Sequence, residues 1–445
     1  MLGRVAILGG GPCGLACADE LTRLGHGDWV LYERELQVGG LARSQCDPQG
    51  FTWDLGGHVV FSHFGEFDAL LARLMGEEVL RHDRSSYVRF DRTWVPYPFQ
   101  NNLRHLPPDA REECLQGLRE APGGDPSMDF GHWMAAVFGA GITRHFMAPY
   151  NLKVWATPPA RMSCGWIAER VSVVDYDRAA ASVRDGVDDL AWGPNNHFAF
   201  PAHGGTGEIW RRLGAELGER VECGRTVVGV DAAERFLRLA DGAREPYDAL
   251  VSTMPLDLLV GLLDDAPDTV RAAGAELEHN SVYVVGIGYG TPLRDTRSWL
   301  YFPGEEAPFY RATNFAKYAP ANVPGGETSR YCSYMTEVAH SPQRPHARAG
   351  LEERVEAGLR AAGVVEGRPA LASAHVIDVP YAYPVPTLGR DAALAVIQPW
   401  LGERAILSRG RFGSWRYEVG NMDHAAKMGI DAARRLARGD DEEIA

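Results

Sequence analysis

The feature that most constrains the fold is a glycine-rich turn near the start of the chain. Val5–Leu8 form a short aliphatic run, and Gly9, Gly11 and Gly14 follow it in the pattern G-x-G-x-x-G. Between a strand and a helix, this pattern predicts a turn that admits a pyrophosphate close to the backbone and aims a helix N-terminus at it. Glu33 ends the next predicted strand, where a carboxylate can bond a ribose hydroxyl. The segment predicts a Rossmann-like domain that binds a dinucleotide, and it leaves nicotinamide and flavin cofactors both open.

Composition excludes several classes of protein. With 45% hydrophobic and 23% charged residues, the chain has the balance of an ordinary globular protein. Its net charge of −14 argues against a nucleic-acid partner. The seven scattered cysteines form no C-x-x-C pair, so we expect neither disulfides nor a metal site. No apolar run has the length of a membrane span, which favours a cytoplasmic location, and the charged stretch 438–443 predicts a solvated end.

The organisation of the remaining chain favours flavin over nicotinamide. A strand, a glycine turn and a helix starting near Asn421 return the chain to the first domain, as expected where FAD lies extended between the chain ends. Residues 101–199 carry mostly helical patterns, and residues 266–399 carry mostly strand patterns. The fold class predicted is α/β, with a Rossmann-like FAD-binding domain (1–100, 200–265 and 400–445), an inserted helical domain (101–199) and a mostly antiparallel β-sheet domain for the substrate (266–399).

A set of short motifs is spread over most of the chain. Beyond the glycine turn they are Asp-Leu-Gly-Gly-His at 54–58, Tyr-Pro-Phe-Gln-Asn-Asn at 97–102, Tyr-Asn-Leu-Lys-Val-Trp at 150–155, Gly-Trp-Ile-Ala-Glu-Arg-Val at 165–171, Trp-Gly-Pro-Asn at 192–195, Phe-Pro-Ala-His-Gly-Gly-Thr-Gly at 200–207, Trp-Leu-Tyr-Phe-Pro at 299–303, Phe-Tyr-Arg-Ala-Thr at 309–313, Tyr-Pro-Val-Pro-Thr-Leu at 383–388 and Gly-Arg-Phe-Gly-Ser-Trp-Arg-Tyr at 410–417. Together they resemble the UDP-galactopyranose mutase family, and its eukaryotic-type branch more than the bacterial one.

This resemblance implies an isomerase that uses FAD in its reduced form. In the family, N5 of reduced FAD attacks the anomeric carbon of a nucleoside-diphosphate sugar and the diphosphate leaves. The sugar recloses through its 4-hydroxyl and the diphosphate returns, which interconverts UDP-galactopyranose and UDP-galactofuranose. The implied partners are the nucleotide-sugar substrate and NAD(P)H or another reductant. A homo-oligomer stays open, because the chain lacks several surface insertions of the eukaryotic-type members.

The resemblance also assigns residues position by position. His58 is placed at the flavin edge, and Arg170 and Arg311 are the arginines expected at the diphosphate. The other substrate-binding candidates are Tyr97, Phe99, Gln100 and Phe146 for the base, Asn151, Trp155, Asn195, Trp299 and Tyr301 for the sugar, and Tyr318, Tyr383 and Tyr417 for the phosphates. The cofactor-binding candidates are Gly9, Gly11, Pro12, Cys13, Gly14, Glu33, Arg34, Gly40, Leu41, Ala42, Gly56, Gly57, His58, Val227, Arg411, Gly420, Asn421 and Met422.

Three alternatives remain at this stage. Stacking by Tyr97 and Phe99 tolerates any base, and the Gln100 amide can donate or accept, so a GDP-hexose is an alternative substrate. A flavin oxidase or desaturase of the amine-oxidase-like group shares the early motifs, although the arginines and tyrosines argue against it. A nucleotide-binding module without catalysis is the third. The family pattern Asn-Gln-Asp-His-Ser is Asn-Met-Asp-His-Ala here, at 421–425, which removes one hydroxyl expected near the flavin.

Overall fold

The computed structural model describes residues 2–167, 170–190 and 196–444. Over these residues the strands are β1 (Val5–Leu8), β2 (Trp29–Glu33), β3 (Ser44–Cys46), β4 (Thr52–Asp54), β5 (Val79–Asp83), β6 (Ser86–Phe90), β7 (Thr93–Pro96), β8 (His197–Pro201), β9 (Val221–Cys223), β10 (Val227–Asp231), β11 (Phe236–Leu239), β12 (Arg244–Pro246), β13 (Ala249–Ser252), β14 (His279–Tyr289), β15 (Trp299–Tyr301), β16 (Arg311–Asn314), β17 (Cys332–His340), β18 (Leu371–Pro384) and β19 (Ile406–Ser408). The α-helices are α1 (Pro12–Arg23), α2 (Gly65–Met75), α3 (Pro108–Glu120), α4 (Phe130–Ile142), α5 (Ala148–Trp155), α6 (Tyr176–Asp185), α7 (Gly207–Leu217), α8 (Leu256–Leu262), α9 (Asp268–Ala275), α10 (Phe315–Tyr318), α11 (Leu351–Ala361), α12 (Arg390–Gly402) and α13 (Met422–Arg438).

A parallel sheet forms the first layer, with strand order β19-β13-β1-β2-β9. Every residue of β1 is buried, as expected for a central parallel strand covered by helices on both faces. Helices α1 and α13 pack closely over it: a Cβ on Gly429 would lie 2.0 Å from the Cys13 carbonyl oxygen. The C-terminal strand and helix thus return to the first domain, which confirms the α/β prediction.

The second sheet is mainly antiparallel, with strand order β18-β14-β17-β16-β15-β6-β7. Strands β6 and β7 form its edge through the parallel pairing of β6 with β15. These two strands fall within the range 1–100, so that part of the chain extends the second sheet and not the parallel one. Gly286 and Gly288 of β14 leave room for the rings of Trp53 and Phe51, since a Cβ at either glycine would lie 2.5 Å from them.

The helical segment from α3 to α6 packs against the antiparallel sheet. Phe130, Trp155 and Trp166 of this segment share one hydrophobic core with Val284 of β14. Gly139 interrupts α4 with a φ of 70°, and a Cβ there would lie 2.1 Å from the backbone of α3. The close approach of the two helices requires glycine at this position.

The C-terminal stretch 438–443 is mostly exposed, as its charge predicts, and one of its side chains, that of Glu442, is held against the protein. The Glu442 side chain is 2% exposed and accepts hydrogen bonds from Arg409 (2.7 Å) and Arg435 (2.9 Å). The Glu443 amide donates to Asp431 at 3.1 Å, and its carboxylate lies 3.0 Å from Lys427. Among the described residues, none of the helices combines the length and hydropathy needed to cross a membrane.

Candidate active site

The three glycines of the opening turn have different surroundings. Gly9 has a φ of 101°, and a Cβ on Gly14 would lie 2.0 Å from the Gly9 carbonyl oxygen, so the turn itself needs both residues. A Cβ on Gly11 meets nothing nearer than the Gly40 Cα, at 3.8 Å. Gly11 is the N-cap of α1 and no side chain caps the helix. The open space beside uncapped amides fits a pyrophosphate.

Glu33 lies where an acidic partner of the adenosine ribose is expected. Its side chain is buried at the end of β2 and accepts hydrogen bonds from the amides of Gly10 (2.7 Å) and Glu35 (2.9 Å). Each carboxylate oxygen therefore keeps acceptor capacity for a ribose hydroxyl. The next residue, Arg34, is 63% exposed and pairs with Glu35 at 3.4 Å. In helix α1, burial raises the pKa of the Cys13 thiol to about 12.

Other predicted cofactor residues frame this turn. Gly40 begins a short 3-10 turn whose amides lie beside Gly11, and Ala42 is buried and accepts a hydrogen bond from Thr206 at 3.1 Å. The second glycine turn, before α7, holds the buried carboxylate of Asp54, which accepts from Thr206 Oγ1 at 2.9 Å. The N-terminus of helix α7 therefore holds a carboxyl group of the protein itself.

A cavity of about 580 Å³ opens between the two sheets and the helical segment. It brings together predicted residues from distant parts of the chain. Those lining it are Gly57, His58, Tyr97, Gln100, Phe146, Asn151, Trp155, Arg170, Trp299, Tyr301, Arg311, Tyr383, Arg411, Tyr417, Asn421 and Met422. Phe99 and Tyr318 are fully buried outside this lining, Phe99 stacked on Phe146 (4.9 Å between centroids) and Tyr318 edge-on to Trp299 (5.9 Å). Asn195 lies outside the described residues.

Arg311 is held by a buried carboxylate on the adjacent strand. Its Nε donates to Glu337 Oε1 at 2.9 Å, and its Nη2 donates to both carboxylate oxygens at 2.7 and 2.8 Å. Burial opposes the charge of Arg311, yet Glu337 keeps the pKa of the guanidinium well above its usual value. The site therefore contains a fixed guanidinium fork facing the cavity.

Two further arginines converge on the C-terminal side of the cavity. Arg170 donates to the Glu418 carbonyl (2.7 Å) and to Asn421 Oδ1 (2.8 Å), and its guanidinium lies 5.4 Å from the Tyr417 ring centroid. Arg411 donates to the Gly420 carbonyl at 2.8 Å. Its burial, which is the main cause, and the charge of Arg170 lower the pKa of Arg411. This concentration of positive charge in a negatively charged protein indicates an anionic ligand.

His58 lies on the turn after β4, and its imidazole is neutral at pH 7. Burial, followed by the charges of Arg411 and Arg311, lowers the pKa of His58 to about 3. Its Nδ1 is buried and finds no hydrogen-bond partner among the residues that the structure describes. His58 borders the cavity, and a buried ring nitrogen without a partner there fits a position beside a polar cofactor edge.

Comparisons with known proteins decide the family. The model of the flavin containing amine oxidoreductase family matches residues 12–437. The crystal structure of reduced UDP-galactopyranose mutase is 39% identical, covers 99% of this chain and 95% of that chain, and superposes with a TM-score of 0.95. The chain belongs to the UDP-galactopyranose mutase family, within the flavin-containing amine oxidoreductases. It is therefore a flavoprotein that uses FAD, and a mutase of the isomerase class.

More distant matches show how widely the fold is used. Cyclohexylamine oxidase from Brevibacterium oxydans is 17% identical, covers 99% of both chains and has a TM-score of 0.69, which shows the fold alone. The 15-cis-phytoene desaturase of Synechococcus elongatus is 32% identical over 106 residues, 21% of this chain and 22% of that protein. The chain thus spans about a fifth of the length of this curated relative.

Within this family member, the aromatic side of the cavity surrounds one unsatisfied acceptor. Gln100 Nε2 donates to the Ser172 carbonyl, while the buried Oε1 has no partner among the described residues. Phe146 and Tyr150 stack beside it, with ring centroids 5.2 Å apart. Tyr97 lines the same side of the cavity, and its peptide bond to Pro98 is cis. This wall combines flat apolar surface with one buried hydrogen-bond acceptor that has no partner among the described residues.

Several residues of the site are absent from the sequence-based prediction. Arg84 donates to the Tyr301 hydroxyl at 3.0 Å and lies 5.0 Å from the centroids of Tyr97 and Trp299. Glu337 enters the site only because its strand pairs it with Arg311. Tyr310 enters because it directly precedes Arg311 in the chain. A compact group, His63, Asp423 and His424, also borders the cavity, with Asp423 accepting from His63 Nδ1 at 2.8 Å and His424 Nδ1 at 3.1 Å. Tyr150 could have been predicted, because it is the first residue of the motif at 150–155. Arg84 lies in no motif, so the sequence alone could not have identified it.

Proposed function

We propose that this chain interconverts the pyranose and furanose forms of a nucleoside-diphosphate hexose, with UDP-galactopyranose and UDP-galactofuranose as the pair. The observation that carries the proposal is the convergence of Arg170, Arg311, Tyr383 and Tyr417 on one cavity next to His58. Two guanidinium groups and two phenol hydroxyls suit a diphosphate better than an apolar or cationic substrate. The 39% identity to UDP-galactopyranose mutase supports the choice of sugar.

Residues at three points support binding of FAD in an extended form. The open side of Gly11 and the N-terminus of α1 would hold the pyrophosphate, Glu33 the ribose, and Arg411, Asn421 and His58 the flavin end. When bound and reduced, for example by NAD(P)H, FAD supplies the nucleophile for the anomeric carbon through its N5 atom. The protein contributes binding, orientation and charge.

The arginines are proposed to stabilise the departing diphosphate. Arg311 is fixed through Nε and Nη2, and its Nη1 makes no hydrogen bond to any described residue, which leaves that N–H pair for phosphate oxygens. Arg170 would exchange its bonds to the Glu418 carbonyl and Asn421 for phosphate contacts. Both groups stabilise the negative charge that develops as the glycosidic bond breaks, and both retain the diphosphate for its return.

The base-binding side fits a nucleobase that donates a hydrogen bond, such as uracil. The unpartnered Gln100 Oε1 would accept a hydrogen bond from the imide N–H of uracil. The stacked rings of Phe146 and Tyr150 would border the space that the base occupies. A guanine N–H could reach the same acceptor. GDP-hexoses therefore belong in the substrate panel.

The decisive experiment is an assay of the chemically reduced protein with UDP- and GDP-hexopyranoses and furanoses, followed by chromatography. We expect conversion of UDP-galactofuranose to UDP-galactopyranose, and none by the oxidised protein. Arg311→Lys should lower kcat/KM about 100-fold, because losing a charge-assisted forked contact costs about 2–3 kcal/mol. The matched control is Arg330→Lys, whose side chain is 65% exposed and pairs with Glu327 away from the cavity. A reduced protein that converts no sugar of the panel refutes the proposal.

The family model also favours a second candidate, an amine-oxidase-like oxidoreductase. Such an enzyme would transfer hydride from an amine to the flavin and release hydrogen peroxide on reoxidation. The four arginines that line the cavity disfavour a cationic amine. We expect no amine-dependent peroxide, and its formation at rates above the mutase reaction would reverse the choice.

A further inference from the structure

We infer that Glu337 is a positioning residue that joins the diphosphate arginine, Arg311, to the turn carrying His58. The role given to Arg311 rests on the proposed function. The coupling between the two groups is a separate property, and it can be measured on the flavoprotein in the absence of any sugar.

The first half of the link is the pairing of two neighbouring strands. Glu337 of β17 lies directly opposite Arg311 of β16 in the antiparallel register. Its side chain is only 2% exposed, and it binds the guanidinium through three hydrogen bonds of 2.7 to 2.9 Å. A carboxylate this buried is stable only with a full set of donors, so the position of each donor is tied to the others.

The second half is a backbone contact from the histidine turn. The Gly57 amide donates to Glu337 Oε1 at 2.9 Å, and this is the oxygen that also accepts from Nε and Nη2 of Arg311. A Cβ on Gly57 would lie 3.1 Å from this oxygen and 2.9 Å from Thr313 Oγ1. Glycine therefore permits the turn to approach the carboxylate, and His58 is the next residue.

The remaining oxygen extends the link to a third element. Glu337 Oε2 accepts from the Tyr310 hydroxyl, which lies 3.4 Å from the hydroxyl of Tyr383 on β18. One buried carboxylate thus engages β16, the histidine turn and, through Tyr310, the tyrosine expected at the phosphates. Because Oε1 is shared, a movement of the Arg311 guanidinium towards a phosphate changes the hydrogen bond that holds Gly57.

A purely structural ion pair would behave differently. It would stabilise the sheet, and replacing either partner would leave the environment of the flavin unchanged. A positioning role predicts instead that Glu337 and Arg311 act on the His58 turn as one unit. Effects of such residues are not additive, and a double-mutant cycle measures the difference.

The test uses the FAD-loaded wild-type protein, Glu337→Gln, Arg311→Lys and the double variant. The measured quantity is the ratio of oxidised to reduced FAD at equilibrium with a reference dye, without sugar. Each single variant should change this ratio at least threefold, and the double variant should match the larger single effect. Glu442→Gln is the matched control: it is also a 2% exposed carboxylate bound to arginine, it lies outside the cavity, and it should leave the ratio unchanged.

An unchanged ratio in Glu337→Gln, or single effects that multiply in the double variant, overturns the inference. If Glu337→Gln does not fold, Glu337→Asp takes its place in the cycle, because it keeps the negative charge and withdraws the carboxylate from the Gly57 amide. The mutase assay is independent of this cycle. A wild-type protein that converts no sugar but shows the non-additive cycle refutes the proposed function and retains the coupling.

Discussion

Replacing Gly11 by alanine should weaken FAD binding and leave the fold intact. The backbone there is extended, with φ −79° and ψ −178°, a conformation that any residue adopts. The nearest atom to the added Cβ would be the Gly40 Cα, at 3.8 Å. As an N-cap, alanine costs about 0.5–1 kcal/mol relative to glycine. The Cβ nevertheless occupies the space through which a pyrophosphate would approach the amides of α1.

The expected loss of FAD affinity follows from the hydrogen bonds that the phosphate would make. One charge-assisted hydrogen bond to an amide contributes about 1.5–3 kcal/mol, so its loss weakens the Kd for FAD about 10- to 100-fold. The Kd is measured by titrating FAD into apoprotein and following flavin fluorescence, and unfolding of the apoprotein is followed by circular dichroism.

Two control variants separate affinity from folding. Gly14→Ala puts a Cβ 2.0 Å from the Gly9 carbonyl oxygen and should destabilise the apoprotein by about 3 kcal/mol or more. Gly261→Ala in α8 meets nothing within 4 Å and should leave both quantities near their wild-type values or raise stability slightly. A Gly11→Ala protein that binds FAD with the wild-type Kd would refute the reasoning about the open side of the turn.

Three further predictions concern buried polar groups. Burial raises the pKa of Asp54 to about 7 from 3.8, so its stabilising contribution is complete below about pH 4 and is lost as pH rises through 7. The wild-type free energy of unfolding, measured by urea denaturation, should therefore fall between pH 4 and pH 7, and Asp54→Asn should make this fall shallower by up to about 1.4 kcal/mol per pH unit. An unchanged slope contradicts this assignment. Glu442→Gln should lower the free energy of unfolding by about 2 kcal/mol, because the 9% exposed Arg409 loses its carboxylate; an equal melting temperature would show that the C-terminal segment is not held in solution. Tyr383→Phe should lower kcat/KM about fivefold through the loss of one hydroxyl, about 1 kcal/mol, and a wild-type value would remove Tyr383 from the phosphate contacts.

The sequence predicted those parts of the fold that depend on local patterns. The turn at 9–14, its flanking strands and the return of the chain to that domain follow from glycine spacing and apolar runs. Helix α12 was missed, because the prolines before it and Pro399 within it hide the helical pattern. The exposure of the C-terminal stretch follows from its charge, but charge alone does not reveal that the Glu442 side chain is buried against Arg409.

The candidate site divides in the same way. Residues within recognisable motifs, such as His58 and Tyr417, line the cavity that the structure forms. Glu337 could not be predicted, because its importance comes from a register that places it opposite Arg311 on another strand. Arg84 reaches the aromatic wall from outside any motif, through contacts that only the assembled sheet and helices create.

The strand order of the parallel sheet has a consequence for biosynthesis. Central strand β1 pairs with β13, and β13 pairs with β19, while α1 packs on α13. A ribosome therefore releases the glycine turn long before the partners that complete the FAD cradle have been made. We therefore expect firm retention of flavin only after β19 and α13 have been synthesised, and not when the glycine turn first emerges.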